Sequence, residues 1–189
     1  MAILKIARMG HPVLACAAAP VRDPTAPEIK RLVDDMIETM EDSNGAGLAA
    51  PQVHVPLRVV VFQAPAGRSE AALAQAEAFD HTAPLTVLIN PVVEIVDPAL
   101  EGGWEGCLSV PGLRGWVERP RHIRYIGYDL RGRRVLRAAK GFHARVVQHE
   151  CDHIDGVLYP QRMNDLSKLV FESEIQHWLD KSEDERAAQ

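Results

Sequence analysis

The sequence predicts one α+β domain, with antiparallel or mixed sheets around a central helix. Short β-branched runs fill the middle of the chain, and apolar periodicity of 3.6 residues is confined to segments beside them, without the regular alternation of a parallel sheet. Size is a third indication, because 189 residues can bury a real core as one unit spanning 1–189.

After an extended opening, residues 24–44 read as a helix. Pro27 suits its first turn, Ile29, Leu32, Val33, Met36, Ile37 and Met40 recur at helical spacing, and the Asn44-Gly45 pair should end it. Residues 58–62 and 85–89 read as strands, and Pro91 opens a further extended stretch over 92–96. Between the first two, residues 65–82 are rich in Ala, Gly, Ser and acidic residues and are predicted to be a surface insertion, with an exposed helical excursion over 70–78. Val117, Ile123, Tyr125, Ile126 and Tyr128 indicate two more strands within 116–136, with Asp129-Leu130-Arg131-Gly132 as a hairpin turn. Residues 142–154 form the predicted central helix, and Gly156 lies just past its end. A last helix over 165–181 would set Leu166, Leu169, Val170, Ile175 and Leu179 on one side, before a polar tail.

Composition removes several function classes. Hydrophobic residues at 47% and charged residues at 25% are globular values, and no apolar run approaches the roughly 18 residues of a membrane span. A net charge of -5 gives no footprint for direct nucleic-acid readout. Cys16, Cys107 and Cys151 are an odd and sparse set, which points to a reducing compartment. The opening residues lack the apolar core and cleavage site of a signal peptide and the Ser and Arg content of a transit peptide, so the mature chain is expected to begin near Met1.

The central helix carries His149-Glu150-Cys151-Asp152-His153. Histidines at i and i+4 share a helix face, so both imidazoles can reach one ion, and Glu150 stands close enough to handle a proton. A catalytic tetrahedral ion needs a third protein ligand and a position for water. His143, His177, Asp152 and Glu172 are candidates, as is a cysteine far upstream. Cys107 stands out there, because the turn formers of Trp104-Glu105-Gly106-Cys107-Leu108-Ser109-Val110-Pro111-Gly112 would expose its thiol.

Taken together, Gly45-Ala46-Gly47-Leu48-Ala49-Ala50-Pro51-Gln52, Glu105-Gly106-Cys107-Leu108-Ser109 and Gln148-His149-Glu150-Cys151-Asp152-His153 resemble the three signature motifs of peptide deformylases, in the same order and separation. The resemblance implies a metal-dependent hydrolase that removes the formyl group from the N-terminal methionine of new polypeptides, in the bacterial cytoplasm and near the ribosomal exit site. It implies Cys107, His149 and His153 as ligands of one divalent ion, Fe2+ in the cell, with Zn2+ or Ni2+ found after isolation. Glu150 would be the general acid and base, and the Gln52 side chain and Leu108 backbone N–H the oxyanion hole. N-formyl-methionyl peptides would lie along Gly45, Ala46, Gly47 and Leu48, with core packing as the alternative for Leu48.

Glu105 is expected among the substrate-binding residues beside the ligands, paired with Arg119 there or at the surface. Ala46 stands where the family often has a larger branched aliphatic residue, and Arg145 where an aliphatic residue often borders the substrate side chain, so both are expected to bear on side-chain selectivity. Cys151 should face away from the ligands, and His11, His54, His81, His122, His143 and His177 take surface or core roles by default. Competing readings are a zinc endopeptidase, which needs neither Cys107 nor Gln52, a closed structural metal site, and an inactive relative that serves as a binding partner.

Overall fold

The structure is a computed structural model that describes residues 2–65 and 81–179. Among the described residues, six strands form one sheet in the order β1 (Gly47–Ala49), β2 (Val59–Ala64), β3 (Ala83–Cys107), β4 (Val110–Tyr128) and β5 (Arg134–Lys140), with β6 (Leu169–Phe171) paired to β4. Every strand pairing is antiparallel. Among the described residues, the long helices α1 (Pro27–Asp42) and α2 (Gly141–Ile154) pack on this sheet in an α+β architecture.

β2 explains why the sheet is covered on both faces. Val59, Val60, Val61 and Phe62 are all fully buried, a continuous apolar run of the kind a two-sided strand requires. By strand alternation, Val60 and Phe62 face the core that also holds Val147 and Ile154 of α2, while Val59 and Val61 join Val33, Met36 and Met40 of α1. The same alternation runs through β1, where Leu48 enters the α1 core and Ala49 the α2 core.

α1 begins on Pro27, whose fixed φ suits the first turn, and it ends where the sequence indicates. Asn44 adopts a left-handed φ of 52°, and the Gly45 N–H returns to the Met40 carbonyl at 2.9 Å, satisfying a terminal acceptor. This stop delivers the chain into β1. The strands predicted over 85–89 and 92–96 fuse into β3, with a register shift at Asn90. There Asn90 has φ 52°, and its side chain accepts from Val21 N–H and donates to Val21 O, each at 2.8 Å.

Further register shifts between Ile95 and Leu100 divide the β3–β4 pair into two regions. The first half of β3 lies in the main sheet. The second half runs with the start of β4 as an arm that ends in the two-residue turn Leu108-Ser109, because Cys107 pairs with Val110.

The helix predicted over 165–181 is not formed over most of its length. Asp165 accepts from the Ser167 N–H at 2.9 Å in a tight turn, and Leu169, Val170 and Phe171 pair with Gly115, Arg114 and Leu113 of the arm. Single 3₁₀ turns form at Leu166–Lys168 and Glu172–Glu174, and α-helical structure starts only at Gln176. The open edge of β4 instead gives these residues backbone partners, and Leu166 and Phe171 stay 66% exposed. Of the predicted insertion over 65–82, residues 66–80 lie outside the described residues, as do 180–181 of the predicted terminal helix. Among the described residues, no helix is long and apolar enough to cross a membrane.

Phe62 is wholly buried and meets Tyr125 edge-on, with ring centroids 5.9 Å apart and an interplanar angle of 87°. Phe62→Ala is expected to cost about 3–5 kcal/mol, read as a lower urea midpoint with an unchanged m-value.

Candidate metal centre

Three potential ligands come together from two elements. Cys107 stands at the tip of the β3–β4 arm, while His149 and His153 are one turn apart on α2. Their donor atoms all lie within 4.8 Å of one another, with Cys107 Sγ 3.3 Å from His153 Nε2. The imidazoles are buried, with ring centroids 4.9 Å apart and planes at 86°. The remaining sequence candidates go elsewhere. Asp152 pairs with Arg119 and Arg162, His143 sits in the core beside Tyr125, Glu172 pairs with Arg114, and His177 is exposed near Glu174.

Each donor is oriented by neighbours. His149 Nδ1 lies 2.8 Å from Glu105 Oε2, so its Nε2 is the nitrogen left for an ion. The Tyr159 ring stacks on the same imidazole, with centroids 6.2 Å apart and an interplanar angle of 24°. Cys107 Sγ receives the Ser109 N–H and the Gln52 Nε2–H, each at 3.4 Å. Gln52 has its amide direction fixed, because its Oε1 accepts the Ala49 N–H at 2.8 Å and its NH2 reaches Ser109 Oγ at 3.1 Å. Its donor end therefore faces the centre.

Behind these groups lies a buried charge chain. Arg119 donates to both oxygens of Glu105, at 2.6 and 2.9 Å, and to Asp152 at 2.9 Å. Arg145 adds a bond to Glu105 at 2.7 Å, and Arg162 holds Asp152 from outside. The Glu105–Arg119 pair is thus buried beside the ligands and not at the surface. Burial alone would raise the Glu105 carboxyl, but the bonds from Arg119 and His149 outweigh it and hold the group well below the usual carboxylate range.

Glu150 differs. It is buried, and its Oε2 has no hydrogen-bond partner among the described residues. Burial pushes its carboxyl up to about 7, against the opposing charge of His149. A partnerless carboxylate oxygen in a polar recess is suited to a water proton, and a soft sulfur with two imidazoles is a donor set for a divalent transition ion. The residues present fit such an ion.

The centre opens into a cavity of about 540 Å³. Gly45, Ala46 and Gly47 form one wall, and Leu108, Glu105 and Arg145 contribute to another. Leu48 takes no part in it, since its side chain is fully buried in the α1 core, the alternative open to it from the sequence. The Glu105 carboxylate is occupied by Arg119, Arg145 and His149, so it holds protein groups in place. Cys151 packs into the core on the far face of α2, and burial pushes its thiol far up.

Sequence reading assigned no role to Ser109, Tyr159 or Arg162. Ser109 stands inside a quoted motif, and its place two residues after Cys107 in a turn was a signal. Tyr159 and Arg162 carry no local pattern, because only the tertiary fold returns them to α2.

Comparison with known proteins agrees with this geometry. A family model described as polypeptide deformylase matches residues 3–169. The chain is 50% identical over 175 residues to peptide deformylase 1 of Bordetella pertussis, covering 88% of this chain and 90% of that protein. It is 47% identical over 184 residues to peptide deformylase 2 of Pseudomonas putida, covering 96% and 99%. Among solved structures, the Met-Ala-Ser-bound class I type b peptide deformylase of Acinetobacter baumannii superposes with a TM-score of 0.75 at 34% identity, covering 85% of this chain and 98% of that one. The peptide deformylase of Ehrlichia chaffeensis in complex with actinonin gives 0.79 at 31%, covering 89% and 92%. With the Cys107, His149 and His153 donors in one buried cluster and a family model running from residue 3 to 169, the chain belongs to the polypeptide deformylase family.

Proposed function

We propose that this chain hydrolyses the formyl amide of N-formyl-methionyl peptides, releasing formate and a free N-terminal methionine. The observation that carries the reading is the meeting of three donor atoms within 4.8 Å, beside a buried Glu150 carboxylate with one oxygen unpartnered among the described residues. Cys107, His149 and His153 would hold the ion, which we assign as ferrous iron in the cell, replaceable by zinc or nickel on isolation. A divalent ion, when bound, supplies Lewis-acid chemistry that acidifies water and polarises the formyl carbonyl.

The protein residues do the rest. Glu150 takes the proton of the attacking water and returns it to the departing amine. Gln52 NH2 and the Leu108 N–H at the arm's turn donate to the carbonyl oxygen as it becomes negative, each worth about 3 kcal/mol. The Ala49 N–H acts through Gln52, preventing the amide from turning its oxygen toward a developing anion. The substrate methionine occupies the cavity between Ala46 and Leu108, and its backbone runs along Gly45 to Gly47. Ala46 leaves this part of the wall short, so side chains larger than methionine should be accepted. The substrate is made during bacterial translation, which supports a cytoplasmic enzyme working near the ribosomal exit site.

Gly47 has a specific steric duty. A Cβ there would fall on the Glu150 carboxylate. Gly47→Ala is therefore expected to lower kcat at least 100-fold while the bound metal is retained, checked by formate release beside metal analysis.

The direct test is formate release from formyl-Met-Ala-Ser by anaerobically purified, iron-loaded protein. Glu150→Gln should keep the metal and lose about 10²–10⁴-fold in rate, whereas Cys107→Ala should lose both metal and activity. Tight metal binding by the parent without formate release would overturn the proposal. Chelation should abolish turnover, and Fe2+ added without oxygen should restore it.

A further inference from the structure

We propose that Arg145 is a positioning residue that bolts the β3–β4 arm to α2 and, through Glu105, fixes the direction of the His149 imidazole. The inference rests on the deformylase reading for its kinetic consequences, but its structural basis is independent of that reading. The three donors come from two elements, so their spacing depends on what joins the arm tip to the helix. Arg145 makes that join from one turn before His149. Its Nη1 donates to Glu105 Oε1 at 2.7 Å and to the Val117 carbonyl at 2.9 Å, and its Nη2 donates to the Glu101 carbonyl at 2.6 Å. One guanidinium therefore grips both strands of the arm and the carboxylate that orients a ligand.

The seat is built for this group. At Gly103 an ideal Cβ would stand 2.9 Å from Arg145 Cζ and 3.0 Å from its Nε and Nη2, so the planar guanidinium lies against bare backbone. The side chain is only 13% exposed, and its acceptors are protein atoms. With both Nη atoms engaged in this way Arg145 ties two elements together, while its side chain also borders the cavity.

Geometry at Glu105 completes the case. Arg119 holds both carboxylate oxygens from β4, Arg145 holds Oε1 from α2, and His149 Nδ1 meets Oε2 from the same helix. A carboxylate offers roughly four acceptor directions, and here all are used. Arg145 and His149 thus grasp opposite oxygens of one anchored group across a single helical turn, and the carboxylate cannot rotate without breaking both bonds.

The test uses Arg145→Met, Arg145→Lys and Gly103→Ala in the full chain. Three quantities are read: metal affinity by chelator competition, the visible spectrum of the Co2+-substituted protein, and kcat and KM for formyl-Met-Ala-Ser. Arg145→Met and Gly103→Ala should each shift the Co2+ bands and reduce metal affinity or kcat about tenfold, the low end for outer partners of metal ligands, with KM within about twofold of the parent. Lys at 145 should recover part of the loss. Should Arg145→Met fail to fold, Gly103→Ala retains every charge and carries the same readouts. A rise in KM alone with an unchanged Co2+ spectrum would overturn the proposal by making Arg145 a substrate contact, and so would parent-like values in all three quantities. Absence of formate release by the parent would sink the deformylase reading, while the spectrum and metal affinity would still decide the role of Arg145.

Discussion

The Glu105 carboxylate is the point on which the centre depends. It is buried, and it accepts from two arginines and the imidazole that presents Nε2 to the donor cluster. An isolated buried carboxylate would be strongly unfavourable, and breaking such a pair by removing one partner typically costs about 3–5 kcal/mol. Such networks add little net stability compared with apolar packing of the same volume. Their value here is directional, since Arg119 and Asp152 carry the constraint across the back of α2 to Arg162.

A single chain direction would not bring a turn cysteine and two helix histidines together. The arm achieves it beyond the register shifts near Asp97, where β3 and β4 carry their shared tip to α2. Small residues let it come close. Gly102 lies under Trp116, Gly103 under Arg145 and Gly106 under Arg114, so side chains from neighbouring elements pack directly on the β3 backbone. β6 then covers the arm's open edge, which would otherwise present unpaired backbone groups.

Much of this was legible in the sequence. The helical spacing of Ile29 through Met40 gives α1, the Asn44-Gly45 stop is formed by a left-handed Asn44, and the α2 histidines share a face. These features are local, set by period and backbone preference. The terminal segment was misread because Leu166 through Leu179 has helical spacing, yet its pairing partner lies more than fifty residues earlier at Leu113 to Gly115. Leu48 shows the same limit on a smaller scale, as strand alternation turns it from the cavity wall into the core. Cys107 could be singled out from its turn formers, but only the tertiary fold excludes Asp152 and Glu172 by supplying them with arginine partners.

The aromatic packing of the arm has an optical consequence. The chain has three tryptophans, and Trp104 meets Trp116 and Trp178 edge-on, with ring centroids 5.6 and 6.1 Å away. Trp104 also lines the cavity. Indole emission from this protein is therefore a local signal and not an average over the molecule. Its wavelength and intensity report on one corner, where the arm, the returning terminal segment and the mouth of the cavity meet.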